Sequence, residues 1–150
     1  MRFAAIALAC CALVLPALPG WAVDLVPAPA SIERQAGKLY LPTPLGIEVS
    51  APALEAEAAL LRDYLAAMSR GTDTPTAGLP GITLDIDASL QASQYRLSVD
   101  GTGVRLSGGD RAAVFYGIQA LRQLLFAAPE TVEGLVLERL RIQDLSLIHI

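Results

Sequence analysis

The stretch Tyr95-Arg-Leu-Ser-Val-Asp-Gly-Thr-Gly-Val-Arg-Leu-Ser-Gly-Gly-Asp-Arg-Ala-Ala-Val-Phe-Tyr-Gly-Ile-Gln-Ala-Leu-Arg-Gln-Leu-Leu125 contains the logic of the fold in a single run. Tyr95, Leu97 and Val99 alternate with Arg96 and Ser98; Val104 and Leu106 alternate with Arg105 and Ser107. Such a period of two marks strands covered on one face and wet on the other, which favours antiparallel pairing. Asp100-Gly-Thr-Gly103 joins them as a tight hairpin. After the Gly108-Gly109 break, Asp110 opens a helix that runs to about Ala128 and stops before Pro129. Its apolar positions Val114, Ile118, Leu121 and Leu125 recur at spacings of three and four. Gly117 stands in its interior, where it costs up to about 1 kcal/mol relative to alanine. A glycine there makes sense if the helix lies very close to the sheet.

Working outward, Ile82, Leu84 and Ile86 oppose Thr83, Asp85 and Asp87 as another half-covered strand, and Leu135 to Ile142 reads as the last one. Gly71 to Gly81 is rich in Gly, Pro and Thr and reads as loop. Before it, Leu54, Ala58, Leu61, Leu65 and Met68 form the apolar stripe of a helix ending at Gly71, with Ser50 as its N-cap and Pro52 in its first turn. Gly46 to Val49 is a short strand. Ser31–Arg34 and Lys38–Leu41 flank Gln35-Ala-Gly37 and read as a first hairpin. Leu25-Val-Pro-Ala-Pro29 is a proline-stiffened entry segment suited to an extended edge. The sum is an α+β domain: a mostly antiparallel sheet with two helices packed on one face.

The front of the chain has a different character. Met1-Arg2 is a short positive region, Phe3 to Leu15 is nearly all apolar, and Gly20-Trp21-Ala22 is a small-x-small cleavage site. Residues 1–22 therefore read as a secretory signal peptide, leaving Val23 as the new N-terminus and implying export to the periplasm or beyond the cell. A membrane anchor is the alternative, but the run is short of the roughly 20 residues that a span requires. A lipoprotein signal using Cys10 or Cys11 is disfavoured, because the residues before them match a lipobox poorly and the hydrophobic run continues past them. Both cysteines leave with the signal, so the exported domain must be held together by its core. The net charge is −4 over 150 residues, and Lys38 is the only lysine. With no basic run, the balance speaks against nucleic acid or anionic lipid as a partner.

Few residue sets in the sequence carry chemistry. The sole histidine, His149, lies in the terminal stretch, so no histidine-based acid–base pair or metal cluster can be assembled. Asp85 and Asp87 share a strand face and could hold a cation, but without further oxygen ligands nearby a solvated pair is favoured. Glu55 and Glu57 read as ordinary exposed charges. Ser107-Gly-Gly-Asp110 at a helix start could cradle an anion; lacking a lysine and a longer glycine loop, it reads as cap and turn. The tyrosines and phenylalanines fall mostly at core-facing positions, which speaks against an independent sugar-binding platform. No catalytic, cofactor-binding or metal-binding residue is assigned, and no cofactor is expected.

Phe115-Tyr-Gly-Ile-Gln-Ala-Leu-Arg-Gln-Leu124 following a strand–turn–strand, with Leu25-Val-Pro-Ala-Pro29 at one end and Ile142-Gln-Asp144 at the other, resembles the N-terminal accessory domain of family 20 glycoside hydrolases, the β-N-acetylhexosaminidases. The resemblance spans nearly all of residues 23–144 and is most specific in its middle third. Related accessory domains also precede the barrels of other glycosidases, including α-glucuronidases. What the resemblance implies is a partner: a C-terminal (β/α)₈ barrel in the same full-length chain, with its chemistry at the barrel's C-terminal face. The family removes terminal β-linked N-acetylhexosamine with retention, the substrate's own acetamide acting as nucleophile. An adjacent Asp-Glu pair performs the protein's part. No Asp-Glu dipeptide occurs in this sequence, so these residues are expected to be inactive alone.

In the family, a proline and an arginine-glycine element follow the position of Asp144. Here Leu145-Ser-Leu-Ile-His-Ile150 stands instead and reads as a non-native tail, translated from sequencing-adapter read-through; a genuine short apolar C-terminus is the alternative. Two other functional classes stay open: an exported non-enzymatic scaffold or interaction module, and the accessory domain of a different glycosidase.

Overall fold

Val99 pairs with Val104 and Leu97 with Leu106 across the Asp100–Gly103 turn, whose Asp100 N–H donates to Gly103 O at 3.1 Å. The hairpin seen in the sequence is thus the centre of the sheet. The computed structural model describes residues 24–145; the signal-peptide reading of 1–22, and the tail reading beyond Leu145, fall outside them. In chain order the elements are β1 (Ser31–Leu41), β2 (Leu45–Val49), α1 (Glu55–Ala67), β3 (Thr72–Asp73), β4 (Gly81–Ile86), β5 (Gln94–Val99), β6 (Gly103–Gly108), α2 (Arg111–Ala127), β7 (Glu130–Thr131) and β8 (Gly134–Leu145). The strands form one sheet ordered β1-β8-β5-β6-β4-β2-β3, with β7 beside β8.

The α+β class is as expected, but the sheet is more mixed than the alternation suggested. β1, β8, β5 and β6 pair antiparallel, whereas β6, β4, β2 and β3 pair parallel. Alternation reports that one face is covered; it does not report strand direction. α1 connects β2 to β4, and a crossover helix brings the chain back to start its next strand in the same sense.

The expected first hairpin is a single long strand. Both halves of β1 find the same partner, β8, and the register shifts between Arg34, opposite Leu140, and Lys38, opposite Glu138. Gln35-Ala-Gly37 is looped out as a bulge, with Gly37 at φ 104 and the Arg139 guanidinium packed against it. The start of α1 also differs. A 3₁₀ turn over Pro52–Leu54 precedes the helix, and neither element has a side-chain cap, so Ser50 does not cap it. α2 begins as read: Asp110 is its N-cap, its Oδ1 accepting from the Ala113 N–H at 2.7 Å.

One core lies between the helices and a single sheet face. Leu41, Leu45, Leu84, Leu97 and Leu106 meet Leu61, Leu65, Ile118, Leu121 and Leu125, all fully buried. Burying each such side chain stabilises by about 1.5–3 kcal/mol. The opposite face carries the polar partners, arranged as cross-strand rows such as Glu33–Arg141–Ser98–Arg105–Thr83–Glu48. Among the described residues no helix is long and apolar enough to cross a membrane.

Candidate functional site

With the aliphatic stripe of α2 turned inward, its aromatics are turned out. Phe126 is 75% exposed and Phe115 40%. The two are eleven residues apart, close to three helical turns, so they lie along one outer line of α2. Of the aromatic residues among the described ones, Tyr95 alone is buried; Tyr64 and Tyr116 are half-buried and Tyr40 is exposed. The expectation that the aromatics face the core is corrected by this arrangement. Val114, Ile118, Leu121 and Leu125 occupy the sheet-facing line, and Phe115, Phe126 and the half-buried Tyr116 are rotated off it.

The outer face extends onto α1, which runs parallel to α2. Three contacts in the same order along both helices join them. Glu57 Oε1 accepts from Arg111 at 3.0–3.1 Å, Gln119 Nε2 donates to Tyr64 Oη at 3.4 Å, and the Arg122 guanidinium sits 4.7 Å above the Tyr64 ring. Tyr64, Met68, Arg122 and Phe126 line a groove of about 570 Å³ between the helix ends. The Phe115 ring meets Tyr116 edge-on, with centroids 5.6 Å apart. An open aromatic line with an arginine and amides between its ends has the composition of a protein contact surface. Covering Phe126 completely would contribute about 1.5–3 kcal/mol.

Glu57 is the second correction. Far from being an ordinary exposed charge, it is 9% exposed, and its Oε2 has no hydrogen-bond partner while Oε1 pairs with Arg111. The signal was available: Glu57, Leu61 and Leu65 are four apart and share a helix line. Glu55 is exposed as expected, 3.9 Å from Arg62.

The remaining singled-out residues have structural roles. Asp85 faces Arg105 at 3.8 Å and Asp87 faces Arg96 at 3.6 Å, a pair of solvated ion pairs on the wet face of the sheet. Asp87 also accepts from the Ser89 hydroxyl and N–H, and the hydroxyl bond above all holds its carboxyl below the usual carboxylate value. Asp100 is lowered in the same way by Thr102. The Ser107–Asp110 turn holds its own carboxylate: Asp110 caps α2 and also accepts from the Ser93 N–H at 3.2 Å. Burial, reinforced by Asp144, pushes the Tyr95 phenol well above its ordinary value. Among the described residues no three histidine, cysteine or acidic groups come together as a metal would need, and His149 lies outside them.

Sequence reading missed the role of the entry segment. Gln123 Oε1 accepts from the Val26 N–H and its Nε2 donates to Val26 O, both at 2.9 Å, so the α2 side chain holds the entry segment as a neighbouring strand would. Leu25 beside it is buried.

Comparison with known proteins matches this domain as a unit. The family model described as glycosyl hydrolase family 20, domain 2, covers residues 22–145. A beta-hexosaminidase from Vibrio vulnificus is 29% identical over 109 residues, 72% of this chain and 12% of the relative. Among solved structures, a beta-N-acetylhexosaminidase from Bacteroides fragilis superposes with a TM-score of 0.65 at 23% identity, over 82% of this chain and 25% of that one. The exo beta-N-acetylglucosaminidase from Vibrio harveyi, solved in complex with N-acetylglucosamine, gives 0.71 at 18% identity, over 87% and 20%. At these identities the two structures speak for the fold. The chain spans only a small part of each relative's length.

Proposed function

Since the chain belongs to glycosyl hydrolase family 20, whose domain 2 its residues 22–145 match, we propose that it is the non-catalytic N-terminal domain of an exported β-N-acetylhexosaminidase. The full enzyme would remove terminal β-linked N-acetylhexosamine by substrate-assisted retention at a (β/α)₈ barrel further along the chain. The names of the relatives support the substrate class, and the short share of their length that this chain covers supports a large additional domain. Residues 1–22 would direct export and be removed, and residues 146–150, after the end of β8 at Leu145, would stand in place of the native entry to the barrel.

The observation that carries the role is the outward line from Phe115 to Phe126 with its neighbouring groove. A small domain gains nothing by presenting an aromatic line to water, whereas a second domain seated there gains the free energy of covering it. In this reading the sheet and helices form a buttress, and the outer face of the helix pair is where the catalytic domain rests.

Two measurements test the proposal. Reading the coding DNA beyond Leu145 should reveal an open frame that continues through proline and arginine to a downstream Asp-Glu pair. A native stop codon at this point would overturn it in favour of a free-standing module. Assay of the purified chain against an aryl N-acetylglucosaminide should give no turnover; hydrolysis by these residues alone would refute the non-catalytic role.

A further inference from the structure

We propose that a cavity at the C-terminal end of α2 is a binding site for a small aromatic or branched aliphatic carboxylate. The cavity has a volume of about 100 Å³ and lies between α2 and the β1–β8 edge of the sheet, on the core side. Its walls include Leu25, Val99, Leu124, Leu140 and Ile142, every one buried. The backbone explains why the space exists. Along β8 the buried aliphatic side chains are Leu135 and Leu137, then Leu140 and Ile142, so the alternation breaks between 137 and 140. The break falls opposite the β1 bulge at 35–37, where the two strands cannot close evenly on the helix. Leu25 closes one side, and the clamp of Gln123 on Val26 keeps it there.

Apolar cavities of roughly this size take up single small apolar molecules such as benzene. The mouth adds a sign. Arg34, Lys38 and Glu138 are the charged residues among the cavity's lining, and Lys38 is exposed. Glu138 lies 3.9 Å from Arg34 and balances it, while no ion pair among the described residues involves Lys38. The one lysine of the chain therefore leaves a net positive rim on an otherwise acidic protein. An anionic ligand is matched by that rim on its strand side. The C-terminal end of α2 at Ala127 presents the negative end of its dipole, so the carboxylate is held on the Lys38 side of the opening, away from the helix end, with the apolar body inside.

The test is titration of the purified, isotope-labelled chain with benzoate, and separately with neutral benzyl alcohol, followed by amide NMR. Saturable shifts are expected at Leu25, Leu124 and Leu140, with benzoate binding at least about five-fold more tightly than the alcohol. Lys38→Glu should reduce benzoate binding to the level of the alcohol while leaving the thermal unfolding midpoint in place. Ala127→Leu, which fills the opening from the helix surface, should abolish binding of both. Absence of saturable shifts at the cavity walls, equal binding of acid and alcohol, or indifference to Lys38→Glu would each overturn the assignment.

Discussion

Gly117 of α2 lies directly on Leu106 of β6: a Cβ at 117 would overlap Leu106 Cδ1 and come within 3.1 Å of both Leu106 Cδ2 and Tyr95 Cδ2. Leu106 is fully buried and Tyr95 nearly so, which leaves neither side chain free to move aside. Helix propensity alone would favour Gly117→Ala by about 1 kcal/mol. Overpacking a closed core costs about 1–3 kcal/mol and occasionally more. The expected outcome is net destabilisation, read as a lower midpoint in chemical denaturation. Leu106→Ala should relieve part of it, so the double variant should lose less than the two single variants together. A more stable Gly117→Ala chain would show that the helix stands off the sheet.

The two sides of α2 should respond oppositely to truncation. Leu121 is fully buried, and Leu121→Ala should cost about 2–5 kcal/mol. Phe126 is mostly exposed, and Phe126→Ser in this chain should change stability by no more than about 0.5 kcal/mol. If the proposed catalytic domain rests on this face, Phe126→Ser in the longer protein should weaken the association between the two domains. Denaturation curves of the isolated chain check the first pair of expectations. A large loss from Phe126→Ser there would mean that the phenylalanine belongs to the core.

What was legible in the sequence follows from these two sides. The hairpin at Asp100–Gly103, the Asp110 cap and the close seat of Gly117 were all readable, because each depends on local chemistry or on one repeating period. Strand partners were not. Ser31–Arg34 and Lys38–Leu41 look like two arms of a hairpin until β8, a hundred residues away, is there to pair with both. The parallel placement of β4 beside β6 was equally hidden, since alternation is the same for either direction. The outer aromatic line could have been found by counting: Phe115 and Phe126 each sit one position after a core residue, Val114 and Leu125. The Gln123 clamp had no local signal, because its partner Val26 is 97 residues distant.

Glu57 and Arg111 form the one charged contact that ties the first turns of the two helices together. Glu57 is nearly buried and Arg111 is more than half exposed, so solvent screens the pair from one side. Arg111→Ala leaves a buried carboxylate without its only partner and should cost about 1–3 kcal/mol. Removing both charges with Glu57→Leu and Arg111→Met should recover most of that loss, because apolar groups of similar size pack without the desolvation penalty. Urea denaturation of the four proteins in the cycle measures the coupling; additive single losses would show that the pair contributes nothing.

Acid and alkaline limits should trace to different residues. The carboxyls of Asp87 and Asp100 are held below the ordinary carboxylate value of 3.8 by hydroxyl and backbone donors. Their contribution is therefore present above that pH and is lost as pH falls through the folded values. Asp87→Asn with Asp100→Asn should flatten the acid limb of stability against pH. The Tyr95 phenol is raised above its ordinary value of 10.0, chiefly by burial and secondarily by Asp144. Its contribution is complete below that pH and declines above it, as the unfolded phenol ionises first. Tyr95→Phe should remove this share of the alkaline decline. Unfolding midpoints measured from acid to alkaline buffer check both, and unchanged limbs in the variants would assign the sensitivity elsewhere.

The entry segment should depend on one side chain for its order. Gln123 satisfies both the N–H and the C=O of Val26, and Asp144 Oδ1 accepts from the Ala30 N–H at 3.0 Å, so the segment is held at two points. Gln123→Ala removes a donor and an acceptor together, and each hydrogen bond is worth about 0.5–1.5 kcal/mol. Gln123→Glu keeps the acceptor for the Val26 N–H but sets a carboxylate against the Val26 carbonyl. Hydrogen exchange at the Val26 amide should therefore be fastest in Gln123→Ala, intermediate in Gln123→Glu and slowest in the unsubstituted chain. Amides in β5 and β6 should exchange alike in all three, because those strands are paired independently of the entry segment. Equal Val26 exchange in the three proteins would show that Leu25, through its burial in the core, holds the segment without help.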